Sequence, residues 1–258
     1  MVSVSSDILQ AWVAGLLLPL IRILGFISIA PVFSHQGVPQ IIRLSTGLVL
    51  ALIIAPTIPA MPQVDLFTMA GMLLIAQEMI IGIAMGFAVR IIFTAIDMAG
   101  QLCGMTMGLG FATFFDPQSQ GNTAVISQFF GILAVMVFLS VDGHLALISA
   151  VAESFHSMPI VLDPAHGVNG FKLVVWGGKI FSVGLQLALP VVAALLITNM
   201  ALGVLTRSAP QLNLFGIGFP ITIGIGFVVI ALMLPSMAVP FRQFIEQAIL
   251  ASRQLVNL

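Results

Sequence analysis

The sequence predicts an all-α, membrane-associated fold of hydrophobic helical hairpins and kinked helices. Three observations carry that expectation. Of 258 residues, 60% are hydrophobic. Only 7% are charged, against about 25% in an ordinary soluble domain, too few to cover a water-exposed surface. The apolar residues gather in long runs, and the mean hydropathy is +1.19. Segments that are apolar on every side belong in lipid or inside a larger assembly, which excludes a soluble monomeric enzyme. The net charge of −1 contains no basic run to neutralise phosphates, which excludes nucleic acid as a partner.

The first apolar run covers about residues 8–30. Asp7 precedes it where a signal peptide carries basic residues, and Arg22 interrupts it, so it is expected to remain in the mature protein. The second, about 44–58, is short for a membrane span, whereas those at about 67–95 and 123–151 reach span length. The last two, about 173–206 and 211–240, contain Pro190 and Pro220, which are expected to kink or break them. A six-helix reading follows. It gives no orientation, because Arg43 and Arg207 fall on one side and Lys172, Arg242 and Arg253 on the other. The connections at Pro31–Pro39, Pro56–Pro62 and Pro159–Pro164 are extended or turned by their prolines, and no linker or repeat marks off a soluble domain.

Arg22, Glu78 and Arg90 lie inside apolar runs. A charge in a span costs at least about 2.5–3.5 kcal/mol, so these groups should face protein or water. Ion pairing between packed helices is the first reading and a proton or ion relay the second. Arg90 and Asp97 stand seven residues apart, about 10 Å along a helix, too far to neutralise each other. No local spacing supplies partners for Arg22, Glu78 or Arg90, so other subunits are expected to complete them. Gly82 and Gly86, then Gly100, Gly104 and Gly108, recur every fourth residue and permit close backbone approach.

The stretch from Gly108 to Gly121 departs from this pattern. Gly108 and Gly110 permit unusual backbone angles, Phe111, Phe114 and Phe115 supply bulk, and Asp116-Pro117 with Gly121 turns the chain before Asn122 or Thr123 caps the next helix. Spacing alone leaves two readings, core aromatics at a helix end or a bulky apolar loop. Enzyme chemistry finds no constellation. His35, His144, His156 and His166 are scattered, Asp142-Gly143-His144 reads as a turn, and Cys103 reads as a small apolar packer. Gly216 and Gly218 lack dinucleotide-binding spacing. Neither a metal nor a cofactor is expected.

The stretch Gly108–Gln120, the turn Gly143-His144-Leu145, the segment Ser154–Pro159, and above all Ala201–Asn213 with its Ala-Pro-Gln-Leu-Asn ending, followed by Phe219-Pro220, resemble the FliR/SctT family of type III export apparatus proteins. The Phe-Asp-Pro form is more similar to the flagellar branch. The resemblance runs from the Arg22 segment to about Pro240.

It implies a membrane-associated subunit of a helical multi-subunit export gate, built with FliP and FliQ, with FlhB outside and FlhA below. Through this gate unfolded flagellar proteins leave the cell at the basal body in the inner membrane. It also implies a FliP-like part over about 1–170 and a FliQ-like helical hairpin over about 171–258. A plug loop corresponds to about Met105–Asn122, which places Met105, Met107, Gly108, Gly110, Phe111, Phe114, Phe115, Asp116 and Pro117 in or near the closed pore. Arg22, Glu78, Arg90, Asp97 and Arg207 are then charges between helices or subunits. An apolar constriction excludes ions by dewetting, and flexible methionines, of which there are 14, conform to a passing chain. Energy would come from other subunits.

Other readings are a secondary transporter using Glu78 as its ion-binding carboxylate, an intramembrane enzyme, for which no nucleophile and base pair up, and a scaffold without a pore role.

Overall fold

The computed structural model describes residues 6–35, 37–58, 65–111, 124–161, 168–208 and 218–255. Among the described residues every regular element is helical and no strand occurs. In chain order these are α1 (Ser6–Ile29), α2 (Gln40–Ile54) with a 3₁₀ turn (Ala55–Thr57), and α3 (Met69–Thr106) with a 3₁₀ turn (Leu109–Phe111). Then follow α4 (Ala124–Ser140), α5 (Gly143–Ser157), α6 (Gly170–Gly177), α7 (Lys179–Ser208) and α8 (Phe219–Gln254).

The helix ends follow from local chemistry. Pro39, extended at ψ 145°, precedes α2, since a proline there fixes φ without interrupting the ladder. The approach to α3 is built by Asp65, whose Oδ1 accepts the Phe67 N–H, and by Thr68, whose hydroxyl accepts the Gly71 N–H at 3.2 Å. Asn169 Oδ1 accepts the Lys172 N–H at 3.0 Å and starts α6 in the same way.

Among the described residues four helical stretches are long and apolar enough to cross a membrane: Gln40–Thr57, Met69–Thr106, Gly170–Ser208 and Phe219–Gln254. A fifth is obtained if Val125–Ser140 and Gly143–Ser157, bent by 67° to each other, count as one broken span. With the apolar helix α1, these stretches fall in the six apolar runs of the sequence. The run at 123–151 is divided because Asp142 adopts a left-handed conformation, φ 53°, which a hydropathy profile does not register. Val13–Ile29 is a further apolar stretch, within the 24 residues of α1. Pro190 lies inside α7 without ending it, and Pro220 is the second residue of α8. At a helix start the missing N–H has no partner to lose, so Pro220 begins a helix where a break was expected.

The chain forms two compact units. The first consists of the described parts of Met1–Ile91, Asp142–Gly177 and Ile245–Leu258. Its core holds Leu18, Phe26, Leu74, Met85, Val151 and Phe155, all nearly or fully buried. Glycine permits the α1–α3 crossing, since a Cβ at Gly82 would collide with the Arg22 carbonyl and one at Gly86 would stand 2.8 Å from the Phe26 carbonyl. Two polar groups close the packing: Trp176 Nε1 donates to the Ala88 carbonyl at 2.9 Å and Ser252 Oγ to the Met85 carbonyl at 3.1 Å.

The second unit consists of the described parts of Ile92–Val141 and Gly178–Phe244. Gly100 of α3 lies against the Ser127 backbone of α4, where a side chain would collide, and Ser127 Oγ donates to the Asp97 carbonyl at 3.0 Å. Edge-to-face contacts join Phe93 to Phe138 and Phe130 to Phe241, with ring centroids 5.8 and 6.2 Å apart. Cys103 is fully buried here.

Candidate functional site

Two places carry the residues singled out from the sequence. The first, in unit one, is built around Arg22 of α1 and Glu78 of α3, both with no exposed surface. Arg22 Nε donates to Glu78 Oε2 at 2.7 Å and Nη2 to Oε1 at 2.9 Å, a bidentate pair. Nη1 donates to the Ser154 carbonyl at 2.9 Å and to Ser154 Oγ at 3.1 Å, and Nη2 donates again to the Met158 carbonyl at 3.0 Å. The guanidinium also stands 4.3 Å from the centre of the Phe155 ring.

All five guanidinium N–H groups are thereby used. Ser154 Oγ gives its own proton to the Val151 carbonyl at 2.6 Å and so is free to accept. The expectation that other subunits complete Arg22 and Glu78 is corrected, because the two satisfy each other across α1 and α3, 56 residues apart. The arrangement is therefore chemically a clamp joining α1, α3 and the end of α5, and Glu78 is not free to act as a transporter's ion-binding carboxylate.

Arg90 and Arg207 behave differently. Both are exposed, and Arg207 stands in the last turn of α7, where a cation suits the helix dipole. Asp97, seven residues beyond Arg90 on α3, is half-buried, and its Oδ1 would be 3.2 Å from a Cβ at Gly131.

The second place, in unit two, is the segment leaving α3. Met105 is 63% exposed, while Met107 is fully buried. Gly108 takes φ +88°, and a Cβ there would stand 2.7 Å from the Phe219 ring of α8. Only glycine combines that backbone with that neighbour. Gly110 and Phe111 belong to the 3₁₀ turn Leu109–Phe111. Phe114, Phe115, Asp116 and Pro117 lie outside the described residues.

Thr222 of α8 went unnoticed in the sequence. Its hydroxyl lies 3.1 Å from the Met107 carbonyl and 3.0 Å from the Phe219 carbonyl. Ser154 and Met158 were noticed only as parts of a motif, because a backbone carbonyl acceptor leaves no trace in side-chain pattern. Among the described residues no three of His, Cys, Asp and Glu converge in a way that could hold a metal ion. His35 Nδ1 accepts the Gly37 N–H at 3.1 Å, and His156 is exposed at the end of α5.

Residues 13–248 match the family described as Bacterial export proteins, family 1. The chain is similar to Flagellar biosynthetic protein FliR of Pectobacterium carotovorum subsp. carotovorum, 42% identical over 224 residues, which cover 87% of this chain and 85% of that one. It is 40% identical to the Escherichia coli (strain K12) protein of that name over 241 residues, covering 93% and 92%. The Bacillus subtilis (strain 168) protein is 30% identical over 245 residues, covering 94% of each chain. With its apolar helices and a match along nearly its whole length, the chain belongs to family 1 of the bacterial export proteins, as a membrane component of the flagellar export apparatus.

Proposed function

We propose that this chain joins FliP-type and FliQ-type subunits to form the inner-membrane channel through which unfolded flagellar proteins are exported at the basal body. In this reading its segment 105–122 is the hydrophobic plug of the closed pore, and FlhB-type and FlhA-type subunits adjoin the channel. A FliP-like part over about 1–170 and a FliQ-like hairpin over about 171–258 would match the other subunits' architecture. The role is transport rather than catalysis.

The observation that carries the assembly is the length of the apolar helices. With 38 residues in α3 and 36 in α8, they run about 57 and 54 Å at 1.5 Å per residue. A bilayer's hydrocarbon core is about 30 Å thick. Met69 in the first turn of α3 and Met105 in its last turn are both exposed, at 73% and 63%, so lipid alone does not cover the helix. Apolar surface beyond the hydrocarbon core suits contact with other protein, which supports a multi-subunit channel.

The plug is tested by replacing Phe111, Phe114 and Phe115 together with Ala in cells making the whole channel. Seal residues and core residues fail differently. Removing a seal lets water and then ions through a constriction that no longer dewets. Removing core rings costs about 3–5 kcal/mol each and lowers abundance. Ion leakage at a normal level of assembled complex is the expected result. Normal assembly without leakage would leave a scaffold role in place of the plug.

A further inference from the structure

The root of the proposed plug is seated on one stripe of α8. Phe219, Thr222 and Gly226 follow at i, i+3 and i+7, so they share a face of the helix, and each meets the residues at which α3 ends. The Met107 N–H still donates to the Cys103 carbonyl at 2.9 Å, in the α-helical manner. The carbonyl of Met107 has left the ladder. It is one of the acceptors that every helix C-terminus leaves without an intrahelical donor, and the buried Thr222 hydroxyl lies 3.1 Å from it.

The Met107 side chain lies over Gly226, where a Cβ would stand 2.5 Å from Cγ, 2.8 Å from Cε and 2.9 Å from Sδ. The next residue, Gly108, turns the chain at φ +88° against the Phe219 ring. Polar, shape and backbone constraints thus converge on two consecutive residues. Beyond them lie Gly110, Phe111 and the rest of the aromatic segment.

We infer that this stripe is a seat that sets where the plug starts and in which direction it leaves α3, with Thr222 as the positioning residue. The inference rests on the proposed plug role. A loop of apolar bulk fills a narrow passage only when its root is fixed, because a root that rocks swings the rings out of register. Thr222→Val keeps the shape of the side chain and removes the one hydroxyl proton, which the Met107 and Phe219 carbonyls share. Thr222→Ser keeps the donor. Gly226→Ala keeps the donor and lifts the Met107 side chain from its notch.

The test measures ion leakage and assembled-complex abundance in cells making the whole channel, for Thr222→Val, Thr222→Ser, Gly226→Ala and the triple Phe111, Phe114, Phe115→Ala variant. At matched abundance, Thr222→Val and Gly226→Ala should leak severalfold more than wild type, and Thr222→Ser should stay tight. A merely structural role would change abundance without changing leakage per complex. If Thr222→Val does not assemble, Gly226→Ala decides alone. A leaking triple-Phe variant beside tight Thr222→Val and Gly226→Ala channels would overturn the seat and keep the plug. A tight triple-Phe variant would remove the plug reading and this inference with it.

Discussion

The Arg22 guanidinium and the Glu78 carboxylate meet through two hydrogen bonds of 2.7 and 2.9 Å with both side chains fully buried. Such a pair gains its Coulomb energy against a large desolvation cost, so its presence alone says little about net stability. Breaking it is another matter, since the remaining charge stays buried. Arg22→Met and Glu78→Leu should each destabilise the chain by about 3–5 kcal/mol and lower its level in the membrane. The double variant Arg22→Met/Glu78→Leu should lose less than the sum of the two. Abundance and thermal resistance in detergent, arranged as a double-mutant cycle, check this. Additive losses would mean the two groups act separately.

Close backbone approach gives a second, independent expectation. A methyl group at Gly82 would run into the Arg22 carbonyl, whereas one at Gly203 on α7 meets nothing within 4 Å in the chain. Gly82→Ala should therefore cost about 1–3 kcal/mol as overpacking. Gly203→Ala should leave the purified chain as stable or slightly more so, because alanine favours a helix over glycine. Equal melting of the two variants would show that the α1–α3 crossing yields more easily than its geometry suggests.

Cys103, His144 and His156 supply the side chains most often used as nucleophile, base or metal ligand. Cys103 is buried in the second unit, and His144 and His156 stand at opposite ends of α5. Replacing all three with Ala should preserve export once the subunit is assembled, with only a modest loss of stability from the small cavity at Cys103. Motility and secretion at matched protein levels are the readout. Loss of secretion from a normally assembled triple variant would point to a chemical step.

The parts legible in the sequence were those that depend on composition along the line of the chain. Apolar runs located α1, α2 and α7 to within a few residues, and Asp142-Gly143 marked the turn that divides the run at 123–151 into α4 and α5. The run expected at about 67–95 continues as helix to Thr106, because Asp97, Gln101, Gly100 and Gly104 lower the hydropathy without ending the helix. Partners distant in sequence were not legible. Glu78 is 56 residues from Arg22, and Met107 is 115 residues from Thr222. Nothing in a local window ranks those pairings above others, and in the second the acceptor is a backbone carbonyl that every residue carries.

Arg90 presents the opposite situation to Arg22. It stands within α3, is exposed, and has no hydrogen-bond or ion-pair partner among the described residues. Phe87, one turn earlier, is 41% exposed, so the surface around the charge is partly apolar. Facing hydrocarbon, the guanidinium would cost at least about 2.5–3.5 kcal/mol. An acceptor on a neighbouring subunit removes that cost and adds a charge-assisted hydrogen bond. Arg90→Leu should accordingly leave the purified chain as stable as wild type while lowering the amount recovered with FliP-type and FliQ-type subunits. Arg90→Lys should recover part of it, since an ammonium keeps the charge but loses the guanidinium's planar fork. Wild-type recovery and export for Arg90→Leu would mean that the side chain ends in water or among lipid headgroups, and that this face of α3 is not where a subunit docks.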